Sequence, residues 1–153
     1  MPMPRMTFLV NNDYELPEEY IVIRNENKLP EHEFFNKHTK ALFNPTEKIN
    51  PVAFITQDTK ITNSSLEAIV IDLFSRCPEI GFVYTDALIK TRGQEFVDFF
   101  SGRDLPDESF FANLTIPINF DEGSDSKIRV MQYMMQANRL FIHLPDPLIT
   151  VYK

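Results

Sequence analysis

Val52-Ala53-Phe54-Ile55-Thr56-Gln57-Asp58-Thr59-Lys60 is the stretch that decides the fold. Val52 to Ile55 is an uninterrupted apolar run, which at this length predicts a short buried strand. The run ends abruptly in polar residues, one of them the carboxylate Asp58. Asn63-Ser64-Ser65-Leu66-Glu67 then reads as a helix start, with Ser64 and Glu67 at capping-box spacing. Asp58 therefore falls between the carboxyl end of a strand and a helix, where open α/β sheets bind ligands. A carboxylate there can hold a divalent cation and, through it, a phosphate. It can equally be a loop residue closing an Asx-turn.

Downstream, Ser65 to Arg76 carries Leu66, Ile69, Val70, Leu73 and Phe74 at helical spacing, a stripe that must face a core. Cys77-Pro78 stops the helix. Gly81 to Thr85 is a further strand ending at Asp86, so strand, helix and strand form a βαβ unit. Thr91 to Asp107 fits either a strand or a short helix. Phe110-Phe111 and Ile116-Pro117-Ile118 suggest irregular apolar packing. Asp121 to Asp125 is a turn, and Ser126 to Asn138 is helical with Ile128, Met131, Met134 and Met135 on one side. Methionines in such a stripe suit an irregular core. Leu140 to Leu144 and Leu148 to Tyr152 read as two final strands broken by Pro145-Asp146-Pro147.

Upstream, Met6 to Val10 is a first strand, closed by Asn11-Asn12-Asp13. Tyr20 to Ile23 is a second, continuous and β-branched, hence buried on both faces. About nine residues separate the two, fewer than the dozen or so that a parallel crossover takes. They are expected to pair antiparallel, or one of them to stand outside the main sheet. Glu31 to Leu42 reads as a helix with Pro30 at its first turn. Phe34, Phe35, His38 and Leu42 share one face of it, with His38 a half-buried core histidine. His32 and His38 are six apart, the wrong spacing for a metal pair. Phe43 to Pro51 is a loop.

The 153 residues suffice for one domain, 1–153, which at this size buries roughly 70% of its unfolded surface. Fourteen phenylalanines supply a core, and four dispersed glycines cannot build a phosphate-binding glycine loop. The net charge of −7 disfavours nucleic acid and anionic membranes as partners. The single cysteine, Cys77, can form no internal disulfide. No signal peptide and no run of about 20 apolar residues is visible, so the chain reads as soluble and cytoplasmic.

From Phe54 to Ile89 the chain resembles inverting, family 2 nucleotide-sugar glycosyltransferases. Their middle segment runs strand, acidic DxD-type motif, capped helix, then a Pro-Glu-Ile-Gly-Phe-Val-Tyr-like strand ending in Asp. Here Phe54 to Glu67 is followed by Pro78-Glu79-Ile80-Gly81-Phe82-Val83-Tyr84-Thr85-Asp86. The tail is similar too: Asp121-Glu122-Gly123-Ser124-Asp125 opens a helix, and Leu144-Pro145-Asp146-Pro147-Leu148 follows. The DxD motif is degenerate, with Thr56 in its first position, and Ser124-Asp125 stands for a Glu-Asp pair. The helix between the first two strands is absent, and Arg24-Asn25 occupies the place of acidic residues.

The resemblance implies a truncated GT-A-like α/β domain, a mostly parallel central sheet flanked by helices. It implies transfer of a sugar from a nucleotide-sugar donor to a hydroxyl acceptor. Asp58 would hold Mn²⁺ or Mg²⁺ against the leaving diphosphate, and Asn25 would lie beside the nucleotide base. Thr56 and Asp86 would contact substrate, and Asp125 would deprotonate the acceptor. Asp125 also suits a helix N-cap, and Asp86 the end of a strand. The alternative reading is a catalytically inactive scaffold, without a cofactor, that binds another protein.

Overall fold

The computed structural model describes residues 4–56, 59–61, 63–98, 109–123 and 125–152. Among these, eight strands form one sheet with three helices packed on it. The strands are β1 (Thr7–Val10), β2 (Ile21–Arg24), β3 (Pro51–Ile55), β4 (Thr59–Ile61), β5 (Ile80–Thr91), β6 (Gln94–Asp98), β7 (Phe110–Asn113) and β8 (Leu140–Tyr152). The helices are α1 (Glu31–Leu42), α2 (Leu66–Arg76) and α3 (Ser126–Gln136). The strand order is β2-β1-β3-β7-β5-β8-β4, with β6 paired to β5 beside this path. None of the described helices is long and apolar enough to cross a membrane.

The mostly parallel GT-A-like sheet expected from the sequence is not what forms. Three pairings are parallel (β1 with β2, β1 with β3, β5 with β8) and four are antiparallel. The result is a curled, mixed, strand-rich sheet. The main cause is Phe110–Asn113, expected as irregular packing, which inserts as β7 antiparallel between β3 and β5. Its Phe110 ring stacks on Phe54 at 4.7 Å and on Phe82 at 5.4 Å, tying three strands together on one face. The long hairpin of β5 and β6, turned at Arg92–Gly93 with Gly93 at φ +77°, adds a third antiparallel pair. The pairing of β4 with β8 adds a fourth.

Two strand readings are corrected along with it. β1 and β2 are parallel neighbours despite their short connection. Each strand is only four residues long, so an extended loop covers the return path at about 3.3 Å per residue without a helix. β2 is an outer strand with Ile21 45% exposed, not one buried on both faces. Likewise β8 is continuous through Pro145-Asp146-Pro147. Its register with β5 jumps from Thr85↔Leu144 to Asp86↔Pro147, so a bulge absorbs Pro145 and Asp146, where a missing N–H costs no ladder bond.

The two faces of the sheet carry separate apolar clusters. Phe8, Val10, Ala53, Ile55 and Val83 pack under α2 through Leu66, Val70 and Phe74. Leu9, Val52, Phe54, Phe82 and Phe110 pack under α1 through Phe34 and Phe35, and under α3 through Val130 and Met134. α1 has the bounds and inner face that the sequence indicates, with His38 half-buried against the Phe34 ring. The inner face of α3 is rotated from the methionine stripe: Met134 is buried, whereas Ile128 and Met135 are exposed. The capping box at α2 does not form. Asn63 Oδ1 accepts the Ser65 N–H instead, and Glu67 turns to the N-terminal strand.

Candidate functional site

The parallel strands β2, β1 and β3 end at one edge of the sheet. Asn25 N–H donates to the Val10 carbonyl and Asn11 N–H to the Ile55 carbonyl, so Asn25, Asn11 and Thr56 continue one row. The row extends across β7. Ile55 stands next to Ser109, whose hydroxyl accepts the Thr56 N–H at 2.9 Å. With strands about 4.8 Å apart, Asn25 lies about 10 Å from Thr56 across β1. Asn25 and Thr56, singled out separately in the sequence, thus follow strand ends at one edge, whereas Asp86 lies within β5.

Each has definite partners. The Thr56 hydroxyl lies 3.2 Å from that of Thr59 and 3.3 Å from that of Ser109, in a buried cluster. Asn12 Nδ2 donates to the carbonyls of Thr56 and Thr59. Asn25 builds its own loop: Nδ2 donates to Asn11 Oδ1 and to the Leu29 carbonyl, and Oδ1 accepts the Leu29 N–H. Asp86 is 1% exposed and its Oδ1 lies 2.6 Å from His143 Nε2. β5 does not end at Asp86, as the sequence suggested, but runs on to Thr91.

Two helices start at this edge. Glu31 opens α1 and accepts from Asn11 Nδ2 at 3.4 Å and from the Ser126 hydroxyl of α3 at 3.0 Å. Asp125 is the N-cap of α3, its Oδ1 accepting the Ile128 N–H at 2.9 Å. Burial pushes the Glu31 carboxyl above its ordinary range, and the nearby Asp125 charge adds to the rise against the hydrogen bonds from Ser126 and Asn11. Lys127 is buried in the first turn of α3. Asn11, Asn12, Asp13, Asn25, Lys28, Leu29, Pro30 and Glu31 enclose an open cavity of about 420 Å³ between the strand ends and α1.

The metal ligand expected at Asp58 lies outside the described residues, as does Ser124. Of the described carboxylates, Asp86 is closed on His143 and Asp125 on Ile128 N–H. They do not make a hard-oxygen cage by themselves, and no group of three His, Cys, Asp or Glu side chains among the described residues could hold a metal ion. The sequence reading also passed over Tyr84, Glu31 and His143. Tyr84 and His143 face each other across the β5–β8 pairing, rings stacked at 4.9 Å. A lone histidine in an apolar strand gives no signal until its partner strand is known. No protein-family model matches this chain, and no curated protein matches it.

Proposed function

We propose that the chain binds a nucleotide-sugar at the carboxyl edge of its sheet and transfers the sugar to a hydroxyl acceptor. The observation that carries this reading is the common row of Asn11, Asn25 and Thr56 at the strand ends, with the starts of α1 and α3 at the same edge. Amides and hydroxyls at strand ends suit a polar, many-hydroxyl ligand. The cavity of about 420 Å³ beside them falls in the range of about 300–1,000 Å³ usual for small-molecule sites. Lys28 brings a cation to its rim. Asp58 is the residue through which Mn²⁺ or Mg²⁺ would enter this reading, two positions beyond Thr56.

Calorimetric titration with UDP-, GDP- and dTDP-sugars, each with and without Mn²⁺, tests it. Saturable binding of one donor supports the reading, and binding that needs Mn²⁺ supports the Asp58 role. Absence of binding to all three sinks it. The second reading, an inactive module that binds another protein, has one observation in its favour. Ile128 and Met135, seven apart on one face of α3, are 47% and 65% exposed.

A further inference from the structure

We infer that the cavity at the amino end of β3 is a further ligand site, anchored by Arg139 and suited to a small zwitterion of the amino-acid class. It is independent of the transferase reading, because Lys48 precedes β3 whereas Thr56 follows it. Glu47, Lys48, Pro78, Glu79, Thr115 and Arg139 line this cavity of about 220 Å³. Drug-sized ligands usually occupy about 300–1,000 Å³, so the occupant here has few heavy atoms.

The walls are fixed by the protein's own hydrogen bonds. Asn113, 1% exposed, ties two loops together. Its Nδ2 donates to the Lys48 carbonyl at 3.1 Å and to the Pro78 carbonyl at 3.5 Å, and its Oδ1 accepts the Asn50 N–H at 2.6 Å. Leu140 N–H donates to the Glu79 carbonyl at 2.9 Å, which holds Arg139 beside Pro78 and Glu79. The Arg139 stem lies on Gly81, where an added Cβ would stand 2.6 Å from Arg139 Cβ and 3.0 Å from its Cγ. Arg139 Nε is fully buried and has no hydrogen-bond partner among the described residues. A buried donor of this kind is costly unless something meets it, and a guanidinium edge matches a carboxylate.

Charge narrows the ligand. Lys48 adds a second cation to the lining, and Glu47 and Glu79 add two carboxylates. The Glu79 carboxyl is held below its ordinary range by its own backbone N–H, then by the Cys77 thiol, with the Arg139 charge adding to the effect. Among the described residues none of these four charges is closed in an ion pair. A bare anion would meet Arg139 and Lys48 but would also face the two glutamates. An α-amino acid with a short side chain answers both signs, its carboxylate towards Arg139 and Lys48 and its ammonium towards Glu47 and Glu79.

The test titrates the full chain with glycine, L-alanine and L-serine, against acetate, inorganic phosphate and methylamine. Affinity is read by calorimetry, and the Arg139 Nε–H signal by ¹H–¹⁵N NMR. One of the amino acids is expected to bind saturably and to shift that signal, with the three single-charge probes weaker by about tenfold or more. Arg139→Lys keeps the charge but removes Nε, and is expected to weaken binding about 10- to 100-fold. Lys48→Gln and Glu79→Gln, both at exposed positions, are expected to weaken it as well. Should Arg139→Lys fail to fold, these two variants decide. Three results each overturn the proposal: no amino acid saturating below about 10 mM, acetate or phosphate binding as tightly as the amino acids, or affinity unchanged in the variants. Each leaves the transferase reading standing, and a chain that binds no nucleotide-sugar leaves this site standing.

Discussion

Glu67 Oε2 accepts the backbone N–H of Met6 at 3.0 Å, joining the first turn of α2 to the start of β1 across 61 positions of sequence. The same oxygen lies 3.1 Å from Arg5 Nε. Because the Glu67 side chain is only 13% exposed, Glu67→Ala leaves a half-buried N–H without its partner. A loss of about 1–3 kcal/mol is expected in urea denaturation. Glu67→Gln keeps an oxygen for Met6 and should lose less. Equal losses for the two would show that the charge on Arg5, not the cap on Met6, is what matters.

Gly81 admits no side chain. A Cβ there would stand 2.5 Å from Met134 Sδ and 2.6 Å from Arg139 Cβ. The methionine can swing away, but the Arg139 Cβ is fixed to its backbone. Gly81→Ala should therefore cost about 1–3 kcal/mol as overpacking. An unchanged thermal midpoint would mean that α3 slides freely over β5.

Phe74 is fully buried in the cluster under α2. Phe74→Ala should cost about 3–5 kcal/mol. A loss below about 1 kcal/mol would contradict the packing of that face. This residue also marks how far the sequence could be read. Its stripe, and that of α1, follow from 3.6-residue periodicity, and Val52 to Ile55 announces its strand by composition. What failed was strand direction. Nothing in Phe110-Phe111-Ala112-Asn113 states that it runs against β3, because pairing is decided by rings on other strands, Phe54 and Phe82. The prolines of β8 misled for a related reason, since only a bulge opposite Asp86 makes them harmless. Asn25, Thr56 and Asp86 were legible one by one. His143 was not, because its partner lies 57 positions away.

The pH dependence should carry a signature of Glu31. Burial raises its carboxyl above the ordinary value of 4.5 in the folded state. The folded chain then holds this proton more tightly than the unfolded chain. The stability it contributes is full below the ordinary carboxylate range and is lost as pH rises from there through the raised value. Glu31→Gln keeps an oxygen for Asn11 and removes the titration. The variant should gain on the wild type as pH rises from 4 to 7, read by chemical denaturation at each pH. A difference that stays flat over that range would exclude Glu31 as the source.

Asn12 ties the crossing loop after β1 to the site. Its Nδ2 donates to the Thr56 carbonyl at 2.7 Å and to the Thr59 carbonyl at 2.8 Å, and its Oδ1 accepts the Tyr14 N–H at 3.0 Å. Arg24 also donates to the Asn12 carbonyl at 2.9 Å. Asn12→Ala removes three side-chain hydrogen bonds, worth about 1 kcal/mol each when half-exposed. Asn12→Asp is the sharper probe. Aspartate keeps the acceptor for Tyr14 but sets an anion against two carbonyl oxygens that need a donor. If the two carbonyl bonds hold the loop, Asn12→Asp must destabilise more than Asn12→Ala, although it changes fewer atoms. The gap should close below the carboxylate's own titration, where the protonated acid can again donate. Denaturation midpoints of both variants at neutral and acid pH decide it. An aspartate variant as stable as the alanine variant at neutral pH would show that Tyr14 and Arg24, rather than the Thr56 and Thr59 carbonyls, fix the path of the chain past the site.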